Sequence, residues 1–358
     1  MRKLLLLVLA VPAFASAATA GSSSSAPVTL TTNEPVVALA ADGDRAALMV
    51  SRRASWQIAI WTPRARRTLP VHTVADPGCS KFCGPGGSLA LAGTRVGWDE
   101  VAYGNTLETS VSIATLARHR ALSLGAGGWD ESSGGGGDEV LVPIADGRLL
   151  AFTIQVHCGD PEADGEPSCP PGRQVGDVVS ASVWRAARRG RCPTYRDYYP
   201  AGHCALVAKA KGELSVLAVD AGRIAARTDH GIVLLTASGG RLRDLAVENV
   251  RAAAVSGNRL ALRVPGSVEI YDTASGQLVK SFPAEGSARL DRLEDLDHGI
   301  LVTAMGKTVT LRRLSDGRTA RITMGGIAHA QLEPAGLFVA GGRRVTFVPM
   351  ADVLRRLG

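Results

Sequence analysis

The residues best equipped for chemistry crowd into one segment. Tyr195, Tyr198 and Tyr199, three of the chain's five tyrosines, stand within five positions of each other. Trp184, Arg185, Arg188, Arg189, Arg191 and Arg196 lie close by. Tyr, Trp and Arg combine a large contact area with directional hydrogen bonds, which is why they dominate the energetics of interfaces. Trp184–Tyr199 therefore reads as a binding surface for a protein or an anionic glycan. The competing reading is a pinned loop whose aromatics pack on the rim of the fold.

Other chemistry is sparse. Asp160, Glu162, Asp164 and Glu166 alternate, but the Asp-x-Asp-x-Asp-Gly order and late Glu of a calcium loop are missing. Asp291, Glu294, Asp295 and Asp297 form a second acidic group, read as an inner hairpin that could line one mouth of a ring. The seven histidines (His72, His119, His157, His203, His230, His298, His329) are scattered without metal-ligand spacing. His230 and His329 stand nearest to inner strands. No G-x-S-x-G nucleophile motif and no phosphate loop is present. No metal, cofactor or catalytic residue is assigned.

Six cysteines, Cys79, Cys83, Cys158, Cys169, Cys192 and Cys204, all sit in Gly/Pro-rich stretches. An even number suits disulfides in an oxidising compartment. Fifteen pairings are possible; the expected one is local, Cys79–Cys83, Cys158–Cys169 and Cys192–Cys204. The gaps do not match the C-x2-C spacing of zinc sites.

The N-terminus agrees with export. Arg2 and Lys3 precede an apolar run, Leu4–Val11, too short to span a bilayer. Two A-x-A sites follow, ending at Ala17 and Ala20, so residues 1–20 read as a secretory signal and 21–27 as a leader. No later run is long and apolar enough for a transmembrane segment. Loss of Arg2 and Lys3 lowers the formal charge from +7 to +5, too mild a bias for a nucleic-acid-binding footprint.

The elements that position these residues are short strands. The stretch Ser267–Pro283 holds two alternating runs joined by a polar turn, and similar pairs recur along most of the chain. Turn glycines repeat at Gly222, Gly257, Gly299 and Gly336, a blade-sized spacing. Alternation and turns predict meanders of four strands. Two stretches, 76–87 and 125–137, read as loops because they are rich in Gly, with Cys and Pro in the first and Ser in the second. The segments 157–177 and 187–203 interrupt the third meander. The last meander, near residues 328–348, has three strands only, and the unpaired run VTLTT at 28–32 can supply its fourth. Residues 350–358 form a tail with one helical turn.

The run VEIYDTASGQLVKSF resembles the third and fourth strands of a WD40-like or quinoprotein-like β-propeller blade, with Asp272, Thr273 and Gly276 in the turn. The resemblance implies an all-β fold: a seven-bladed β-propeller over 28–349, closed by the N-terminal strand in the last blade. Closure would leave no open sheet edge. No Trp-Asp pair ends a third strand and no Trp follows the Thr-Gly turn, so neither the WD40 hydrogen-bond tetrad nor a quinone cofactor is implied. The fold does not fix an activity. The expected function is that of an exported, monomeric scaffold for a protein or carbohydrate partner. The alternative is a propeller enzyme, of the lyase, lactonase or hydrolase type, with its site at the mouth of the central channel.

Overall fold

The computed structural model describes residues 26–358 apart from 53–54, 66, 76–82, 104–106, 118–120, 130–136, 148, 158–177, 187–203, 211 and 286–290. Among the described residues the chain is nearly all strand. β1 (Val28–Thr31) comes first, then β2 to β5 (Val36–Asp42, Arg45–Arg52, Ser55–Trp61, Leu69–Ala75). β6 to β9 are Cys83–Ala92, Arg95–Tyr103, Leu107–Thr115 and Ala121–Trp129; β10 to β13 are Gly137–Asp146, Leu149–His157, Val178–Ala186 and Cys204–Ala210. β14 to β17 are Leu214–Asp220, Arg223–Thr228, Gly231–Thr236 and Arg241–Leu245; β18 to β21 are Ala252–Ser256, Arg259–Val264, Ser267–Asp272 and Leu278–Pro283. β22 to β25 are Asp291–Asp297, Ile300–Met305, Thr308–Arg313 and Thr319–Thr323; β26 to β28 are Ala328–Glu333, Gly336–Gly341 and Arg344–Pro349, and α1 is Met350–Arg356.

Six groups of four consecutive strands form antiparallel meanders. The remaining sheet is composite, in the order β1-β28-β27-β26, with Val28 opposite Phe347 and Thr31 opposite Arg344. The sheets are arranged as a β-propeller. The first strand of each meander is innermost; β2, β6 and β18 are rich in alanine, as crowding around an axis favours, whereas β22 has none.

The core lies between sheets. One cluster packs Ala90, Val111 and Leu124 of β6–β9 against Leu150, Phe152 and Ile154 of β11. Corresponding clusters join the following sheets in turn. Another joins the composite sheet to the first meander: Leu30, Phe338, Val345 and Phe347 meet Val36, Leu48 and Trp61. There Trp61 sets its ring edge-on to Phe338, with centroids 6.1 Å apart. α1 adds Val353, and its C-cap Leu357, to the cluster beneath β26–β28.

Two turns depend on glycine for space as well as torsion. Gly336 opens β27 at φ +151°, and a Cβ there would lie 2.3 Å from the Val348 carbonyl oxygen. Gly231 opens β16 at φ +122°, with the Leu245 oxygen 2.2 Å from the same notional atom. Backbone cannot move aside as a flexible side chain can.

Several expectations need correction. The glycine-rich stretch 125–137 is not wholly loop: β9 runs on to Trp129, with Gly125 opposite Val111 and Trp129 opposite Leu107, and β10 begins at Gly137. Likewise β6 begins at Cys83, inside the stretch read as loop. A neighbouring strand supplies hydrogen bonds that composition does not reveal. The acidic group at 291–297 is not a hairpin but the inner strand β22 itself. The tail helix is longer than one turn.

Candidate functional site

The inner strands β2, β6, β10, β14, β18, β22 and β26 surround a central channel of about 370 Å³. Five of them present small or apolar residues, such as Ala38, Ala40, Ala90, Val142, Leu217 and Ala253. The charged and larger polar lining comes from two adjacent strands, Glu294 and Asp295 on β22 and Gln331 and His329 on β26, and β6 adds Ser88.

A local irregularity brings Glu294 there. The pairing of β22 with β23 shifts between Leu293 and Asp295, leaving Glu294 as an extra residue. β14 carries the same shift around Leu217, and β2 around Val37. Bulges of this kind re-aim one side chain and raise local twist. At the bulge, β22 has a carboxylate where the other two strands have an aliphatic side chain.

Most of these polar groups bond to the neighbouring sheet. Glu294 Oε2 accepts from Ala330 N at 3.1 Å, and Asp295 Oδ2 accepts from Leu332 N at 2.7 Å. Asp295 Oδ1 accepts from Leu296 N. Gln331 spans the next boundary, accepting from Ala41 N at 2.7 Å and donating to Ala41 O and to Glu333 Oε1. Arg292 pairs with Glu294 at 2.8 Å and also donates to Ala328 O. The His329 imidazole has no hydrogen-bond partner among the described residues, while its backbone pairs with Ala340 of β27.

At the ends of the inner strands, on one face, a second set of carboxylates does the same work. Asp42 accepts from Gly93 N, Asp146 from Ala221 N, Asp220 from Gly257 N and Glu333 from Gly43 N, at 2.5 to 2.9 Å. Asp297 accepts from Ser256 Oγ at 2.9 Å and from His298 Nδ1 at 2.6 Å. Apart from Asp297, each carboxylate reaches the inner hairpin of a neighbouring sheet and satisfies a turn N–H that a strand ladder cannot. Sequence reading missed Asp42, Asp146, Asp220 and Glu333. Their recurring place, one residue before an inner turn, was the available signal.

Crowding these acids has an electrostatic consequence. Burial pushes Glu333 up to about 8, and the charges of Asp295, Asp42 and Asp146 push the same way. Burial raises Asp295 to about 7, with Asp297 and Asp146 adding to it. Asp146 and Glu294 are also raised, chiefly by burial. His329 is lowered to about 4, by burial first and by Arg292 second, so its imidazole is neutral at pH 7.

Other histidines do different work. His72 stacks on Trp98, with ring centroids 5.0 Å apart. His230, read as near an inner strand, sits in the two-residue turn between β15 and β16. His298, at φ +50° in the turn after β22, lines a groove of about 630 Å³ with Asp297, Arg259 and Lys280. No group of three or more metal-binding side chains occurs among the described residues.

Of the expected binding residues, Trp184 and Arg185 lie on β12, opposite Leu206 and Ala205 of β13. Arg188, Arg189, Arg191, Tyr195, Arg196, Tyr198 and Tyr199 fall outside the described residues, as do the acidic run at 160–166 and the N-terminal signal. Cys83 begins β6 and Cys204 begins β13; Cys79, Cys158, Cys169 and Cys192 fall outside, so the three pairings do too. No helix among the described residues is long and apolar enough to cross a membrane.

No protein-family model matches the chain, and no curated protein matches it in sequence. Similar folds occur among solved structures. BamB from Moraxella catarrhalis is 10% identical, with a TM-score of 0.46 over 87% of this chain and 82% of that one. A chain from a crystal structure of a nidogen/laminin complex is 14% identical, with a TM-score of 0.39 over 69% of this chain and 80% of that one.

Proposed function

We propose that this chain is an exported, non-catalytic binding scaffold for a protein or glycan partner. In this reading its blades number seven, and β1 closes the ring by completing the composite sheet. Partner contact falls to Trp184, Arg185, Arg188, Arg189, Arg191, Tyr195, Arg196, Tyr198 and Tyr199. The three local disulfides, Cys79–Cys83, Cys158–Cys169 and Cys192–Cys204, belong to the same proposal and suit an extracytoplasmic site after removal of residues 1–20. Non-reducing peptide mapping tests the pairings.

The observation that carries this reading is a contrast within the fold. Within every sheet except β10–β13, strands consecutive in the chain are separated by at most seven residues. In the sheet β10–β13 alone, the segments 158–177 and 187–203 replace the turns after β11 and β12. In a four-stranded meander the first and third turns leave from one face and the second from the other. The segment 187–203 therefore starts and ends on the face of the inner hairpins. A rigid body with specificity carried by long connections is the usual division of labour in binding proteins.

A second reading, a lyase, lactonase or hydrolase at the channel mouth, draws on Glu294 and His329 in the channel. Against it, Glu294 and Asp295 are already hydrogen-bonded to β26. One experiment separates the two. The chain and a variant with 187–203 replaced by a short Gly-Ser turn are screened against a glycan array and a set of exported proteins. Capture by the parent, lost in a variant of unchanged melting temperature, supports the scaffold. Equal capture by both overturns it.

A further inference from the structure

The groove between the sheets β18–β21 and β22–β25 has features that the partner-binding segment leaves unexplained. It opens at the inner hairpins, and its volume, about 630 Å³, is in the range of small-ligand pockets. The repeat supplies its own comparison. Asp42, at the end of β2, accepts from Gly93 N, and Arg45, 3.9 Å from Asp42, donates to Gly93 O at 2.9 Å. Asp220, at the end of β14, accepts from Gly257 N at 2.8 Å, and Arg223 donates to Gly257 O. In both places an acid and an arginine grip the next inner turn. The equivalent residues at the groove are Ser256 and Arg259, and neither grips the next turn. Ser256 donates to Asp297, and Arg259 turns to Asp272, its cross-strand partner on β20, at 2.6 Å. Asp297 itself takes up His298 N at 2.8 Å. β6 ends in Ala92 and lacks the acid too, but there the turns close up: a Cβ on Gly93 would touch Gly147 O at 3.6 Å. At the groove the acid is missing and the space stays open.

Two more observations point the same way. Lys280 reaches from β21 to the carbonyls of Leu314 and Ser315, and among the described residues no carboxylate pairs with its ammonium. His298 holds φ +50° in the groove wall, where Gly43, Gly93, Gly147 and Gly257 fill the same turn position at +53° to +67°; a side chain there carries strain that glycine avoids. The one acid in the lining, Asp297, has both oxygens occupied, by Ser256 and His298. We propose that this groove binds a small aliphatic carboxylate, which takes the place of the missing acid. Its oxygens would accept from the guanidinium nitrogens that Arg259 does not spend on Asp272, from the third N–H of Lys280, and from the Asn258 amide, which otherwise stands 3.4 Å from Asp272. Its stem would lie along Leu314 and Val279, the latter 44% exposed. This site is separate from the surface at 184–199, so either can fail without the other.

The test is NMR titration of the full chain with sodium pentanoate, 1-pentanol, n-pentylammonium and sodium chloride. Saturable shifts of the Asn258, Lys280 and His298 amides are expected with pentanoate alone. Lys280→Gln and Arg259→Gln keep a donor but lose the charge, and each should weaken binding about tenfold or more, as expected for a lost hydrogen bond between charged groups. Ser256→Asp restores the acid found in β2 and β14 and should exclude pentanoate. Melting curves verify that the variants fold. No saturable shift, an equal response to 1-pentanol or to sodium chloride, or folded variants that bind like the parent would overturn the proposal. Should the variants fail to fold, the parent decides: pentanoate shifts at those three amides support the site, and shifts confined to other sheets refute it.

Discussion

Replacing Arg263 by Met tests how the sheets are held together. Arg263 lies near the end of β19, and Asp291 opens β22 in the next sheet. Their charged atoms are 3.4 Å apart, with side chains 3% and 2% exposed. Arg263 also donates to the carbonyls of Val264 and Ser267, and Asp291 accepts from Glu285 N. Arg263→Met leaves the Asp291 carboxylate buried without its cation, which costs about 3–5 kcal/mol. Asp291→Asn keeps the bond from Glu285 N and leaves Arg263 two carbonyl acceptors, so it should cost about half as much. In the double variant no unpaired charge remains, and its loss should fall short of the sum of the singles by about 1.5 kcal/mol or more. Urea unfolding followed by far-UV circular dichroism reads all four corners of the cycle. If the single losses add to within about 0.5 kcal/mol, the two residues act independently and the argument is wrong.

Other outcomes follow from the same physics. Glu333, Asp295 and Asp99 have folded pKa values raised to about 8, 7 and 6, so the folded chain holds their protons more tightly than the unfolded one. Their contribution is full below about pH 4 and is lost as pH rises through 6 to 8. His329 works in the opposite sense, but its contribution is lost only as pH falls from about 6.5 towards 4. The melting temperature should therefore drop between pH 6.5 and 8, and Glu333→Gln should flatten the drop; an unchanged slope in that variant would remove Glu333 from the account. Gly336→Ala should destabilise by about 2 kcal/mol or more, since φ +151° and the Val348 oxygen at 2.3 Å both oppose a Cβ; a denaturation midpoint equal to the parent's would contradict this. Leu30→Ala should cost about 2–3 kcal/mol, because Leu30 is the buried residue of β1 and packs into the cluster shared with the first meander. Retention of full stability would show that β1 contributes little to the joint between the two sheets.

Much of the fold was readable because blades are local. The alternation of Val268–Asp272 and Leu278–Phe282 predicts β20 and β21 to within one residue at one end of each. Asp272 accepts from Ala274 N and Ser275 N and so holds the intervening turn. VTLTT was assigned to the last sheet because that sheet lacked a strand, and β1 does pair with β28. Where composition and long-range pairing disagree, reading fails. Gly125–Trp129 looks like a linker, yet β8 holds it as strand. Glu294 and Asp295 look like a solvated turn because carboxylates in an inner strand are exceptional. What pays for their burial is the backbone of β26, which is distant in sequence. The carboxylates before the inner turns are a three-dimensional pattern for the same reason: each partner lies one sheet away.

The central claim is that partner binding resides in the Arg- and Tyr-rich segment and not in the ring that carries it. Its most direct test is the affinity of the quadruple variant Arg188→Ala, Arg189→Ala, Arg191→Ala and Arg196→Ala for the partner recovered with the parent chain. The account predicts a loss of binding of at least about a hundredfold with the melting temperature unchanged, as expected when several interface arginines are removed together. Parent-like affinity in the folded variant would contradict it.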